Sequence, residues 1–109
     1  MNYTFIEINN KKYAIKFGFN ALRKYSSKTN TSLQDLDKLG TDMTLDDALT
    51  LIYCGVEDGY RAAKQEFKLT IDDLADLIDT DYEVIARAME ILTEQMGGGS
   101  EKKQKAKKK

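Results

Sequence analysis

Hydrophobic spacing changes period once along this chain, at Gly18, and that switch decides the fold class. Before it, residues 3–17 alternate as a half-buried strand requires: Tyr3, Phe5 and Ile8 interleave with polar groups, then Tyr13, Ile15 and Phe17 share one face. Between the two runs, Asn9-Asn10-Lys11 supplies residues that tolerate left-handed turn geometry, so the segment reads as a β-hairpin. After Gly18 the apolar residues recur at three and four. Phe19, Leu22 and Tyr25 mark a first helix over roughly 19–28, which Ser26-Ser27-Lys28-Thr29-Asn30 brings to a close.

The later helices announce themselves by their caps. Ser32 caps a short turn carrying Leu33, Leu36 and Leu39, a lid over the core that Gly40 ends. Thr44 followed by Asp46 and Asp47 opens the longest helix, roughly 44–65, with Leu45, Ala48, Leu49, Ile52, Tyr53, Val56 and Tyr60 on its stripe. Thr70 with Asp72 and Asp73 opens a helix over 70–79 that carries Ile71, Leu74, Leu77 and Ile78. Thr80 with Glu83 reads as a capping box for the last helix, 81–96, with Ile85, Ala88, Met89, Leu92 and Met96 inward. The expected architecture is α+β and mainly α, an N-terminal hairpin packed on a bundle of about four helices in one domain, residues 1–96.

Charge divides the chain differently from hydrophobicity. Residues 97–109 begin Gly97-Gly98-Gly99-Ser100 and carry six lysines against Glu101, leaving 11 basic and 17 acidic groups in the first 96 residues. The tail offers no apolar group larger than Ala106 to bury and is expected to be flexible and disordered on its own. It has neither an aromatic residue to stack on bases nor an arginine to read a guanine edge, so any nucleic-acid contact would be weak and non-specific.

The residue inventory excludes whole mechanisms. With no histidine there is no Ser-His-Asp triad, no Cys-His dyad and no histidine metal ligand. A single cysteine, Cys54, forms no internal disulfide and sits mid-helix, where a thiol packs as a small apolar group. Asp79, Asp81, Glu83 and Glu90 fall in a calcium-loop register, but Val84 stands where the loop needs glycine. The pairs Asp46-Asp47 and Asp72-Asp73 lie in first helical turns, where helix dipoles account for them. No cofactor, metal or catalytic residue is expected, and no apolar run has membrane-spanning length. Gly55 and Gly59 leave a groove on the long helix that suits close approach by another backbone, within the fold ahead of between chains.

Surface candidates remain. Tyr53, Tyr60, Tyr82, Met89 and Met96 are suited to core packing or to an adaptable partner surface. The closing helices suggest a groove beside Leu77, Ile78, Ile85, Met89 and Leu92 that covers an apolar stripe of another helical chain.

The order of these features resembles the tail assembly chaperones of long-tailed bacteriophages and related prophages of Gram-positive hosts. The resemblance spans residues 3–95. It is carried by the lysine-rich turn Asn9 to Lys12, Ile15-Lys16-Phe17-Gly18 leading to Leu22-Arg23-Lys24, the central Leu51-Ile52-Tyr53-Cys54-Gly55-Val56, and the acidic Leu69-Thr70-Ile71-Asp72-Asp73-Leu74. It implies a non-enzymatic helper in the host cytoplasm, absent from the mature virion. Such a helper binds the tape measure protein, keeps it soluble and helps recruit tail tube protein, and it can form homo-oligomers. It also implies a longer product by programmed frameshift, for which an A-rich stretch encoding Lys107-Lys108-Lys109 would serve. The alternative reading is a small nucleic-acid-associated regulatory or adaptor protein with a basic tail, against which the acidic body weighs.

Overall fold

The computed structural model describes residues 3–39 and 43–96; the tail expected over 97–109 lies outside the described residues. Strands β1 (Thr4–Ile8) and β2 (Lys11–Ile15) form an antiparallel hairpin, followed by α1 (Phe19–Thr29), a short 3-10 helix (Leu33–Lys38), α2 (Leu45–Ala62), α3 (Ile71–Asp79) and α4 (Glu83–Gln95). The α+β, mainly helical architecture is the one the change of period predicts.

Asn9 and Asn10 make the hairpin turn, with φ of 53° and 68°. Two consecutive left-handed residues are the geometry that matches the twist of paired strands, and asparagine tolerates it. This two-residue turn pairs Ile6 with Tyr13 and Thr4 with Ile15. The even-numbered residues of β1 therefore share the face of Tyr13 and Ile15, because strand side chains alternate. Ile6 and Ile8 are buried. Tyr3 and Phe5, expected inward, lie on the outer face, where their rings meet edge-on with centroids 5.5 Å apart. The expected set stepped from Phe5 to Ile8, an odd number of residues, and so could not occupy one face.

Helix α2 is the spine, packing against α1, β2, α3 and α4. Its two glycines seat the hairpin. A Cβ on Gly59 would stand 2.3 Å from the backbone nitrogen of Ile15, and one on Gly55 would stand 2.6 Å from Cε1 of Phe17. The Lys16 N–H, one residue past β2, donates to the Gly55 carbonyl at 2.9 Å, which ties the end of the strand to the helix. The close approach suited to this glycine pair is made within the fold. The helix ends at Ala62, short of residue 65, because Lys64 adopts a left-handed φ of 60° and Gln65 N–H returns to the Tyr60 carbonyl.

Capping explains most helix starts. Asp35 N–H donates to Ser32 Oγ at 3.3 Å, and Asp47 N–H to Thr44 Oγ1 at 3.0 Å. The reciprocal box forms at Thr70 and Asp73, with both bonds at 3.0 Å. It does not form at Thr80. That residue closes α3, its hydroxyl donating to the Leu77 carbonyl and accepting from Asn9 Nδ2, so α4 begins with Tyr82 as an N-cap that makes no side-chain bond. The inward stripe of α4 is Val84, Ala88 and Leu92, with Ile85 and Met89 at its margin. Helix α1 turns inward on Ala21 and Tyr25 and continues through the serines to Thr29, where left-handed Asn30 ends it.

Candidate binding groove

Three apolar side chains expected in inward stripes point outward, as does Tyr82, a residue suited to either core packing or a partner surface. Phe19 is 80% exposed, Leu33 83%, Leu45 82% and Tyr82 73%. The first three open their helices and Tyr82 is the N-cap of α4, so each sits at a helix start, before the turn whose inward face reaches the core. They define the lips of two shallow grooves.

The first groove lies between the start of α2, the outer side of α3 and the start of α4. Leu45, Leu49, Ala75, Ile78, Tyr82 and Ile85 line it together with Asp79, enclosing about 190 Å³. That volume is below the roughly 300 to 1,000 Å³ of small-molecule pockets, and it suits one or two inserted side chains. Its rim is acidic: Asp79 stands in the lining, Asp72 and Asp76 are exposed on α3, which contains no basic residue, and Asp46 follows Leu45.

Of the five residues expected to form a partner surface, Ile78 and Ile85 line this groove. Leu77 is half-buried on another side of α3, its carbonyl accepting from Asn9 Nδ2 at 3.2 Å and from the Thr80 hydroxyl at 3.0 Å. Met89 lies on a shallow face of α4 with Glu83, Arg87 and Glu90. Leu92 belongs to the core. The five residues do not form one surface. Leu45, Leu49 and Ala75 complete the groove that the sequence outlined only in part. The tyrosine set divides likewise. Tyr53 and Tyr60 pack on Phe67 with centroids 5.4 and 5.5 Å apart, the Tyr53 hydroxyl donating to the Leu69 carbonyl, while Tyr82 forms a lip of the groove.

The second groove runs between α1 and the 3-10 helix and is lined by Phe19, Leu22, Arg23, Ser26, Leu33 and Leu36, about 240 Å³ in volume. Arg23 is the one charged residue in its lining, its guanidinium donating to Asn20 Oδ1 at 3.3 and 3.1 Å; Lys24 and Lys28 lie beside Glu57 on another side of α1, and the 3-10 helix carries Asp35.

Reactive groups elsewhere are occupied by structure. Cys54 is fully buried, and burial pushes its thiol up to about 11, away from the thiolate a nucleophile needs. Asp81 accepts from the Asn9 N–H at 3.1 Å and from Arg87 at 3.0 Å, and the Arg87 bond, seconded by Asn9, holds its carboxyl below the ordinary range. This latch ties the hairpin turn to the α3–α4 junction. Asp58, 1% exposed on α2, accepts from Arg61 Nε and Nη2, both at 2.8 Å, on Oδ1; among the described residues Oδ2 has no hydrogen-bond partner.

Among the described residues no group of three His, Cys, Asp or Glu side chains is placed to hold a metal ion, and no helix is long and apolar enough to cross a membrane. Fold and site together define a small hairpin-and-helix domain with two shallow apolar grooves, one beside the acids of α3 and the other beside Arg23. Comparison with protein-family models, with curated proteins and with solved structures finds no match.

Proposed function

We propose that this chain is a non-enzymatic tail assembly chaperone of a long-tailed phage, acting in the host cytoplasm and absent from the finished particle, and that it shields amphipathic helical segments of the tape measure protein until tail tube subunits enclose them. The observation that carries this reading is the apolar groove beside the acids of α3, whose lips, Leu45 and Tyr82, are largely exposed. The resemblance of residues 3–95 to such chaperones supplies the identity of the partner.

An unassembled helix with an apolar stripe aggregates through that stripe. A groove of this size takes one or two side chains spaced three or four apart on such a helix. Basic residues flanking the stripe would meet Asp46, Asp76 and Asp79, and the acids left over keep the complex soluble. Full burial of a leucine or aromatic side chain contributes about 1.5–3 kcal/mol, from which the cost of association must be subtracted. Two lips and two inserted side chains therefore give a weak, rapidly reversible complex, the kind that tube assembly can displace.

The test is co-expression of the full chain with a candidate tape measure protein, reading soluble complex by size-exclusion chromatography with light scattering. The wild type should yield a complex, the double variant Leu45→Ser/Tyr82→Ser should lose it, and Phe19→Ser/Leu33→Ser should retain it. A complex indifferent to the groove variant, or a partner that stays insoluble throughout, would overturn the reading.

A further inference from the structure

A helix gathers partial negative charge at its C-terminal end, where cations are stabilising and acids are not. Helix α4 ends against that rule: Glu94 stands in its last turn, Glu90 one turn earlier, and the last turn holds no base. Both glutamates are exposed, and among the described residues neither has an ion-pair partner. Other acids of the body are better placed. Asp46, Asp47, Asp72 and Asp73 occupy the first turns of α2 and α3, where the dipole favours them, and Asp79 lies beside the start of α4. The outer face of α4 is a shallow trough of about 480 Å³, lined by Glu83, Ala86, Arg87, Met89, Glu90 and Thr93 and by no residue of another element. Its one base, Arg87, is already engaged by Asp81 and Glu83.

The chain leaves this end of α4 as Gly97-Gly98-Gly99-Ser100, a sequence that readily reverses direction, and then carries Lys102, Lys103, Lys105, Lys107, Lys108 and Lys109 against the single acid Glu101. Lengths match as well as charges. Glu94 to Glu83 covers about 17 Å at the rise of an α-helix, and Lys102 to Lys109 reaches about 23 Å when extended. We propose that the lysine-rich segment folds back along the outer face of α4, its first lysines beside Glu94 and Glu90 and its later ones toward Glu83. Exposed ion pairs are weak singly, but a four-residue linker makes the contact intramolecular, at an effective concentration of millimolar order. The same lysines are the groups best suited to hold phosphates, so their seat on α4 restrains binding to nucleic acid. None of this depends on a tape measure partner.

The experiment compares amide spectra of the nitrogen-15-labelled full chain with those of a variant carrying Lys→Gln at positions 102, 103, 105, 107, 108 and 109, in about 20 mM salt, where charge attraction is little screened. All six changes lie beyond Met96, too far along the chain to shift α4 through bonds. The two spectra should differ between Glu83 and Glu94, and the difference should collapse as salt approaches about 1 M. In a Glu90→Gln/Glu94→Gln background the lysine changes should have little effect, whereas Asp72→Asn/Asp76→Asn, which removes the same charge from α3, should leave the difference intact. All four acids are exposed, and unchanged thermal unfolding confirms that both double variants remain folded. By fluorescence anisotropy, an oligothymidylate of about 20 nucleotides should bind Glu90→Gln/Glu94→Gln about threefold more tightly than Asp72→Asn/Asp76→Asn. Identical low-salt spectra with and without the lysines would overturn the proposal. So would differences centred on Asp72 and Asp76, or equal oligothymidylate affinity for the two double variants.

Discussion

Replacing Gly59 by alanine sets two effects of opposite sign against each other. Alanine is better than glycine inside a helix by about 1 kcal/mol, so an isolated α2 would be stabilised. Within the fold, the added Cβ would lie 2.3 Å from Ile15 N and 2.5 Å from Ala14 C and Ile15 Cα. All three are backbone atoms, and the approach is about 1 Å inside ordinary contact, so no rotamer change relieves it. The hairpin must lift from the helix. Overpacking costs about 1–3 kcal/mol, and partial exposure of Ile6, Ile8 and Ile15 adds a share of the roughly 1.5–3 kcal/mol that each contributes on full burial. The net effect is a destabilisation of about 3 kcal/mol, which lowers the thermal midpoint by roughly 12–24 °C in a domain of this size. Gly55→Ala meets the Phe17 ring, a side chain that can rotate, and should cost about 1–2 kcal/mol. Urea unfolding followed by circular dichroism measures both. A Gly59→Ala midpoint equal to or above the wild type would refute the claim that this glycine exists to admit the hairpin backbone.

Further predictions address the remaining devices of the fold. Arg61→Ala strips Asp58 of its hydrogen bonds among the described residues and should cost about 2–3 kcal/mol by urea unfolding, less than a fully buried pair because Arg61 is half in solvent; adding Asp58→Asn should restore part of the loss. The Cys54 thiol ionises near 11 in the folded protein against an ordinary value of 9.0, so its stabilising contribution is whole below pH 9 and is lost as pH rises toward 11, at about 1.4 kcal/mol per unit. The stability difference between wild type and Cys54→Ala should shift accordingly across that window and be constant below it. Asn9→Gly keeps the turn geometry but removes the side-chain bonds to Thr80 and Leu77, and should cost about 1 kcal/mol, whereas Asn10→Gly should be neutral by the same unfolding assay.

The features legible in sequence were those decided locally. A hydroxyl three residues before a free amide caps a helix whatever surrounds it, so Ser32, Thr44 and Thr70 could be read from neighbours alone. The hairpin turn was legible for the same reason. Thr80 shows the limit: its spacing to Glu83 fits a capping box, but its hydroxyl is taken by Leu77 and Asn9, and the hairpin partner lies 71 residues away. Stripe phase failed where a large apolar residue directly follows a cap, as at Phe19, Leu33 and Leu45. Periodicity counts such a residue as core, although the first turn can point it past the packed neighbour. Asp58 is the most informative omission. Its position between Gly55 and Gly59, with Arg61 three residues on, marks the face that meets the hairpin, so a carboxylate there had to be buried and paired. The groove was half legible, in Ile78 and Ile85, because its other wall comes from α2, and only the packing of α3 and α4 against that helix brings Leu45 and Leu49 beside them.

The most direct test of the proposed function is whether, and where, an amphipathic helical peptide binds. The full chain, labelled with nitrogen-15, is titrated with a peptide bearing an apolar stripe and basic flanks, and amide shifts are followed residue by residue. The account predicts saturable changes concentrated at Leu45, Leu49, Ala75, Ile78, Tyr82 and Ile85, abolished by Leu45→Ser/Tyr82→Ser. Changes centred instead on α1, or no saturable change at all, would contradict it.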